Sequence, residues 1–494
     1  MPLETSDRRT RWLVVGWAIA AFAFARSRVP FDDEWFSLTL ARDTTWARMW
    51  TSIARDVHPP WVALIDRASI AIGGEATLTL AHVAASALAI ALISRAVRDL
   101  GGRGWTTAVA ALHPIVFMYG GACRWYAFAF LADALRLFAI ARAWSRPSGA
   151  RLDRATRIAF AAGALLGPMS AYVEAPRIAI DALAWLWLER RRGATSEAAR
   201  AIAFATPWPI VALFAFPFAR AQLALAGPVA ASTHGGIALF LGLGPLGEAH
   251  LPPPWTALAI VAVPGLVVVV ARAWRARRPL LVASLGSLAA WAICAPLGVW
   301  HPRYALAAWC LIATLVVEIA IDLWPSTSKL ARASVFATAA YLALALLLTL
   351  GQRSFLKGDL DAIGASACAP VFGDKSDLVV VPYPRARDLL VRACAPSESP
   401  RTSGWIRHYD RGDDALFADW IAPLVRARSV TLVTVPTGGS SLTETQRRAR
   451  ALVAARCRST RVDRTVEDPF ASLKPWASRS SGVFRLEIER FSCP

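Results

Sequence analysis

Residues 8–38 read RRTRWLVVGWAIAAFAFARSRVPFDDEWFSL, and this stretch decides the class of fold. Three arginines precede an apolar run from Trp12 to Ala25. A helix crosses the hydrocarbon core of a bilayer with about 20 mainly apolar residues, because every backbone polar group must be paired within the segment. The stretch resembles a cleavable signal sequence in outline. We predict a retained span instead, because the residues just beyond it, 31–36, look functional and need an anchor.

Apolar stretches of similar length recur along the first 350 residues, and 56% of the 494 residues are hydrophobic against 18% charged. Soluble domains hold about a quarter of charged residues, so the composition favours a membrane protein. We predict a polytopic α-helical membrane protein with about eleven transmembrane helices. The predicted spans lie near 12–28, 76–94, 105–121, 124–141, 156–173, 177–189, 201–222, 255–271, 280–299, 303–323 and 333–350.

Basic residues cluster in alternate connectors between the predicted spans. The clusters lie within residues 8–11, 95–103, 142–157, 190–200, 272–278 and 329–332. The other connectors hold mostly isolated basic residues such as Arg124, Arg177 and Arg303. Cytoplasmic loops carry the excess of Lys and Arg, so the N-terminus is predicted to be cytoplasmic. The C-terminal domain is then predicted on the periplasmic side of a multi-pass inner (plasma) membrane protein.

The formal net charge of +19 does not indicate nucleic-acid binding. Only four of the 54 basic residues are lysine, and the chain has no asparagine. This composition is typical of a GC-rich genome, which inflates the arginine content. Since no recognition motif accompanies the charge, we expect no nucleic-acid partner.

The chain changes character near its C-terminal end, and we divide it into a membrane domain, 1–353, and an outer α/β domain, 354–494. DLVVVPYP (377–384), SVTLVTVP (429–436) and VFRLEIERF (483–491) predict strands. RARDLLVRAC (385–394) and ETQRRARALVAARC (444–457) predict amphipathic helices, the second with Thr443 as a possible cap. Alternating strands and helices indicate a small α/β layer.

Four of the seven cysteines lie in the outer domain: Cys368, Cys394, Cys457 and Cys493. On the oxidising side of a membrane, an even set favours one or two disulfides, whose pairing the sequence leaves open. Buried free thiols are the alternative.

Three adjacent acids, Asp32, Asp33 and Glu34, follow the first span and open the predicted outer loop 29–75. Acidic side chains at a membrane boundary are costly and therefore mark a candidate site, although a solvated turn with helix-capping acids is the alternative. His58 lies in the same loop, before Pro59 and Pro60, where prolines suit the first turn of a helix.

Two arginine–aromatic motifs open predicted spans on the same outer face. Arg124 and Tyr126 precede one span, and Arg303 and Tyr304 precede another. A single arginine at an outer helix end can reach the interface along its aliphatic stem. Two of them beside an acidic trio instead predict guanidinium groups that bind a lipid phosphate.

The order of these motifs resembles the GT-C glycosyltransferases, in particular the branch of protein O-mannosyltransferases and aminoarabinose transferases. The matching strings are DDEWFSL (32–38), HPPW (58–61), HPIVFMYGGACRWYAF (113–128) and PRYALAAWC (302–310). The resemblance covers about 350 residues by topology, but only these short strings by sequence. Trp61 and Val62 depart from the Leu-Tyr or similar pair that relatives usually carry.

The resemblance implies a role for each motif. Asp33 would be the catalytic base, with Glu34 as its catalytic neighbour, while the third acid, Asp32, leaves open which carboxylate takes the proton. The residues implied in substrate binding are Asp32, His58, Arg124, Tyr126, Arg303 and Tyr304. Of these, the two Arg–Tyr pairs would lie near the carrier phosphate, and His58 would shape the first outer loop.

The implied activity is the transfer of a sugar from a polyprenyl-phosphate donor to a hydroxyl of a lipid, glycan or protein acceptor on the outer side of the bilayer. No cofactor and no metal are expected, since an acidic trio without a histidine partner is a poor metal site. The alternative is a transporter, flippase or polymerase of lipid-linked envelope intermediates. Asp133, Asp181 and Glu318 are its candidate intramembrane acids, but no internal repeat is visible.

Overall fold

The computed structural model divides into two compact units. The first comprises Met1–Arg26 and Leu40–Thr349, and the second comprises Ser27–Thr39 and Leu350–Pro494. The acidic trio therefore belongs to the second unit by its contacts. The residues whose structure is described are 3–27, 32–42, 45–54, 58–147, 150–172, 174–191, 195–214, 259–276, 278–294, 304–325, 328–373, 376–382, 386, 390, 394, 402–404, 422–435, 440–467 and 485–494.

The regular elements described in the first unit are helices, and three of them, α1, α2 and α15, contain residues of both units. Their bounds are α1 Leu3–Ser27, α2 Asp32–Arg42, α3 Trp46–Ala54, α4 Pro60–Asp99, α5 Gly104–Ala110, α6 Pro114–Gly120, α7 Tyr126–Trp144, α8 Arg154–Ser170, α9 Glu174–Arg191, α10 Thr195–Ala205, α11 Pro207–Phe214, α12 Ala259–Arg275, α13 Pro279–Cys294, α14 Leu306–Leu323 and α15 Lys329–Phe372.

Three helices among the described residues are long and apolar enough to cross a membrane. They are Pro60–Asp99, Leu306–Leu323 and Lys329–Leu347. Large apolar side chains are also exposed on other helices, with Ile260 at 73% and Trp274 at 71%. Such surface is stable against lipid tails, which are as apolar as leucine. The count of about eleven spans stays a prediction.

Helix α4 folds back on itself at Gly73 and Gly74. Gly74 has φ +68° and ψ −158°, a conformation that essentially only glycine adopts. Asp66 and His82 lie 16 residues apart, which is about 24 Å along a straight helix, yet their side chains are in contact at 2.8 Å. The two arms of α4 must therefore run back along each other. The second arm, residues 75–99, contains the predicted span 76–94.

Helices α7 and α8 pack closely because small residues face each other. A Cβ atom on Gly163 would lie 2.7 Å from the Ala132 carbonyl oxygen and 2.8 Å from Cγ of Arg136. Glycine at this position lets the two backbones approach, which is how helices commonly associate where no water is present. The close approach brings polar groups of α7 and α8 within hydrogen-bonding distance.

The second unit contains a five-stranded mixed sheet in the order β2-β1-β3-β5-β4. Strand β1 pairs in parallel with β2 and β3, whereas β5 pairs antiparallel with β3 and β4. The strands are β1 Leu378–Val381, β2 Thr402–Gly404, β3 Ser429–Thr434, β4 Arg458–Glu467 and β5 Arg485–Ser492. All three strands expected from the sequence are confirmed. The domain boundary at 353 stays a prediction.

One prediction for this unit needs correction. Helix α16 spans Ser440–Arg456, so Thr443 lies inside its first turn and does not cap it. Serine also favours helix starts, so Ser440 provides an earlier start signal than Thr443.

The predicted helix 385–394 is described only at Ala386, Leu390 and Cys394, all of them helical.

The four cysteines of the C-terminal part form two disulfides, so the alternative of buried free thiols is wrong for them. Cys368 is bonded to Cys394 and Cys457 to Cys493, with Cα atoms 5.1 and 4.2 Å apart. Disulfides in the C-terminal part are thus confirmed, and the structure provides the pairing that the sequence left open. Cys310, in the first unit, is a buried free thiol.

Candidate functional site

The start of α4 places His58 beside a buried arginine. Pro59 is the N-cap residue of α4 and Pro60 lies in its first turn, so the helix start expected from the sequence is confirmed. The fixed φ of proline suits this position, and it fixes the chain just after His58. A guanidinium N–H of Arg124 donates to Nδ1 of His58 over 3.2 Å.

Arg124 does not reach toward water. It precedes α7 and is only 5% exposed, which contradicts the alternative that it extends to the interface. A buried guanidinium is costly unless opposite charge and hydrogen bonds compensate it. His58 supplies one hydrogen-bond acceptor, and the carboxylate of Asp66 interacts with Arg124 electrostatically. The arginine is therefore held in place inside the protein.

An aromatic cluster includes Trp125 and Tyr126, the two residues that follow Arg124. The rings of Trp125 and Tyr304 are stacked, with centroids 4.9 Å apart and an interplanar angle of 21°. Tyr126 lies 6.0 Å from Tyr304 and 5.4 Å from Tyr119. The ring of His58 is 5.7 Å from that of Trp125. Offset aromatic contacts of this kind fix ring positions.

The structure thus brings together four of the predicted site residues, His58, Arg124, Tyr126 and Tyr304. Arg303 lies outside the described residues. Asp32 and Asp33 form the first turn of α2, but their side chains also lie outside the described part.

Glu34, the last acid of the trio along the chain, is 2% exposed. The alternative of a solvated turn is therefore wrong for this carboxylate. Its position in the first turn of α2 is favourable for an acid, because the helix dipole is positive there.

Asp66 and His82 form a buried pair that the sequence analysis did not identify. Nε2 of His82 lies 2.8 Å from Oδ1 of Asp66, and both residues are 0% exposed. The His82 ring is also 5.0 Å from that of Phe128, in the first turns of α7. The pair therefore lies between the two arms of α4, where Asp66 also interacts electrostatically with Arg124. The sequence signal was the Gly73-Gly74 break, since Asp66 and His82 lie at similar distances on either side of it.

The candidate intramembrane acids of α7 and α9 are ion-paired. Asp133 lies 2.5 Å from Arg136 and 2.7 Å from Arg177. Glu174 bridges the same two arginines at 2.9 and 2.7 Å, and Asp181 contacts Arg136 at 2.6 Å. Every member except Asp181 is buried. Asp133 and Asp181 are thus parts of a cross-link between helices, which we call the α7–α9 network.

Glu318 is also paired. It accepts hydrogen bonds from the backbone N–H and the guanidinium of Arg103, both over 2.8 Å, and from the hydroxyl of Thr106 over 2.8 Å. Arg278 lies 3.8 Å from the same carboxylate. Both arginines belong to predicted cytoplasmic clusters, so Glu318 lies at a helix end and anchors α14 to α5.

No group of three or more His, Cys, Asp or Glu side chains in the described parts of the chain could hold a metal ion.

The fold resembles that of two solved structures. The crystal structure of ArnT from Cupriavidus metallidurans bound to undecaprenyl phosphate aligns with a TM-score of 0.54 and 14% identity, covering 97% of this chain and 98% of that one. The apo structure aligns with a TM-score of 0.50 and 15% identity, with the same coverage. The chain has the ArnT fold.

At this identity the likeness concerns the fold alone, and it agrees with the predicted GT-C-like fold, while the branch and the activity stay predictions. An oligosaccharyltransferase from Archaeoglobus fulgidus aligns over 84% of this chain with 13% identity and a TM-score of only 0.41, and it carries no argument here. No protein-family model matches the sequence. No curated protein matches it significantly either.

Proposed function

We propose that the chain is an inverting membrane glycosyltransferase that moves a hexosyl or pentosyl group from a polyprenyl-phosphate donor to an acceptor hydroxyl on the outer side of the inner membrane. The buried Arg124, which donates a hydrogen bond to His58 and precedes the clustered rings of Trp125 and Tyr126, carries this proposal. It occurs in a chain with the ArnT fold, and ArnT has been solved bound to undecaprenyl phosphate. A fixed guanidinium among aromatic rings suits a phosphate on an apolar carrier.

Each group has a role in the proposed reaction. Asp33 takes the proton of the acceptor hydroxyl while the hydroxyl oxygen forms a bond to the anomeric carbon. The bond between that carbon and the phosphate oxygen breaks, and polyprenyl phosphate leaves with the electron pair. Arg124 and Arg303 stabilise the charge that develops on the phosphate without having to move. Attack from the face opposite the leaving group inverts the anomeric centre.

The described ion pairs weaken the case for a transporter, flippase or polymerase. That alternative relied on Asp133, Asp181 and Glu318 as ionisable groups along a transport path. Each of these acids contacts at least one arginine. Paired charges that connect helices have a structural role that needs no transport.

Replacing Arg124 with alanine is expected to weaken use of the polyprenyl-phosphate donor by about 10- to 150-fold, because the loss of a charge-assisted hydrogen bond costs about 1.5–3 kcal/mol. The measurement is the rate of donor consumption by purified protein as donor concentration is varied. Arg142, exposed in the last turn of α7, the helix that Arg124 precedes, is the matched control. Wild-type donor dependence in the Arg124→Ala variant would contradict a phosphate-binding role.

The proposed orientation has its own test. A reporter that is active only in the periplasm is expected to work when fused after residue 350 and to be inactive when fused within 146–154. The physical reason is the concentration of arginines in the second region, which favours the cytoplasmic side. Activity at both positions, or only within 146–154, would reverse the orientation and move the candidate site to the cytoplasmic face.

A further inference from the structure

Four exposed arginines of the second unit flank two buried residues. These arginines are Arg426, Arg428, Arg456 and Arg458. Ala427 and Cys457, which they flank, belong to one cluster of buried side chains. Both pairs are therefore presented to solvent on either side of a buried side chain. The proposed glycosyl transfer uses none of these arginines.

Backbone contacts bring the two pairs together at one end of the sheet. The backbone N–H of Cys493 donates to the carbonyl oxygen of Arg428 over 2.8 Å, and Cys493 is disulfide-bonded to Cys457. Arg456 itself donates to the carbonyl oxygen of Val425. The four guanidinium groups therefore belong to one surface, fixed by the disulfide and the strand ends.

Acidic residues compensate this charge only slightly. Asp377 accepts hydrogen bonds from the backbone N–H groups of Arg428 and Ser429, at 2.8 and 3.2 Å. Those bonds, led by the one from Arg428, lower the pKa of Asp377 and keep it ionised. Across the parts of the chain that the structure describes, no ion pair engages the side chains of the four arginines. The surface keeps an excess of positive charge.

Exposed apolar side chains lie on the same surface. Val425 is 62% exposed and precedes Arg426, and Leu452 is 39% exposed one helical turn before Arg456. Arginine stems and apolar side chains that share a face are typical of protein surfaces that enter the headgroup region of a bilayer. The arginine patch is defined as Arg426, Arg428, Arg456 and Arg458 with Val425 and Leu452.

We propose that the arginine patch binds the anionic surface of a lipid bilayer. The charge is complementary to anionic headgroups, and the two apolar side chains suit a lipid boundary better than a soluble polyanion. A bilayer is also always available, because helix α15 contains the apolar segment Lys329–Leu347 and continues to Phe372 in the second unit. Binding would restrict the second unit to the membrane surface.

Hydrogen exchange of the full-length protein in lipid nanodiscs tests this proposal. Peptides covering 422–428 and 452–458 are expected to exchange more slowly in discs of phosphatidylcholine with about 30% phosphatidylglycerol than in phosphatidylcholine alone, and about 0.5 M salt should remove the difference. Arg456→Gln should reduce the protection about fivefold. Arg447→Gln is the matched control, because Arg447 lies nine residues earlier on α16 and therefore on its opposite face.

Several results would contradict membrane binding by the arginine patch. Equal exchange in both kinds of disc, or equal effects of the two arginine variants, would overturn the proposal. Protection by a soluble polyanion such as heparin in phosphatidylcholine discs, without any effect of phosphatidylglycerol, would assign the patch to an anionic polymer instead. Leu452→Ser provides a second variant that keeps every charge, and it should also weaken protection in the anionic discs.

Discussion

Asparagine in place of Asp33 is expected to lower turnover by about 10²–10⁴, the scale of a lost general base, while the protein remains folded and inserted. An acceptor hydroxyl is a weak nucleophile near neutral pH, so its attack depends on a carboxylate that accepts the proton. Asparagine has nearly the same size but cannot accept that proton. The measurement is glycosyl transfer by purified variants at matched expression and matched thermal stability.

The other two acids provide the controls for this prediction. Glu34→Gln should cost less activity than Asp33→Asn, and Asp32→Asn should cost least. If Asp33→Asn retains near-normal turnover while one of the other variants is inactive, the base is a different member of the trio. If all three variants remain active, the glycosyltransferase proposal fails.

Replacing Arg136 with glutamine is expected to lower the free energy of unfolding by about 3–5 kcal/mol, the usual cost of breaking a buried ion pair by removing one partner. Arg136 contacts Asp133, Glu174 and Asp181, and it also donates to the Gly163 carbonyl oxygen over 3.1 Å. Without it, Asp133 and Glu174 share Arg177, and Asp181 loses its contact with Arg136. The measurement is the thermal unfolding midpoint of the purified protein in detergent.

Arg142→Gln is the matched control, since it lies on the same helix and contacts Asp153 at 3.8 Å with its side chain 46% exposed. Exposed pairs contribute at most about 1 kcal/mol, so this variant should unfold close to the wild type. Equal midpoints for Arg136→Gln and Arg142→Gln would mean that the α7–α9 network does not stabilise the unit.

The motifs that the sequence predicted best were those defined by their place at helix starts. His58 before two prolines, Arg124 and Tyr126 before α7, and Tyr304 before α14 each lie at a junction that composition alone can locate. Since alternate helix ends share one face of a membrane, the order of spans predicts that these motifs lie on one face, and helix packing brings them together. Strands β1 and β3 were predictable because runs rich in valine between turn residues favour strands, and β5 because its apolar and charged residues alternate, whereas β2 and β4 were not predicted.

The pairs inside the membrane unit were not predictable from spacing. Asp66 and His82 would lie about 24 Å apart on a straight helix, and only the reversal at Gly73 and Gly74 brings them together. Arg177, one partner of Asp133, and Arg103, the partner of Glu318, lie 44 and 215 residues away along the chain. Such contacts depend on how helices pack, which periodicity within one helix does not contain.

Transfer of a labelled sugar from a polyprenyl-phosphate donor by the purified protein tests the central claim most directly. The protein in nanodiscs would be supplied with a panel of labelled undecaprenyl-phosphate hexoses and pentoses and with an envelope extract as the source of acceptor. We expect at least one donor to be consumed, with release of undecaprenyl phosphate and an inverted linkage in the product, and we expect Arg124→Ala and Asp33→Asn to suppress this. Donor consumption by the wild type no faster than by both variants, across the whole panel, would contradict the account.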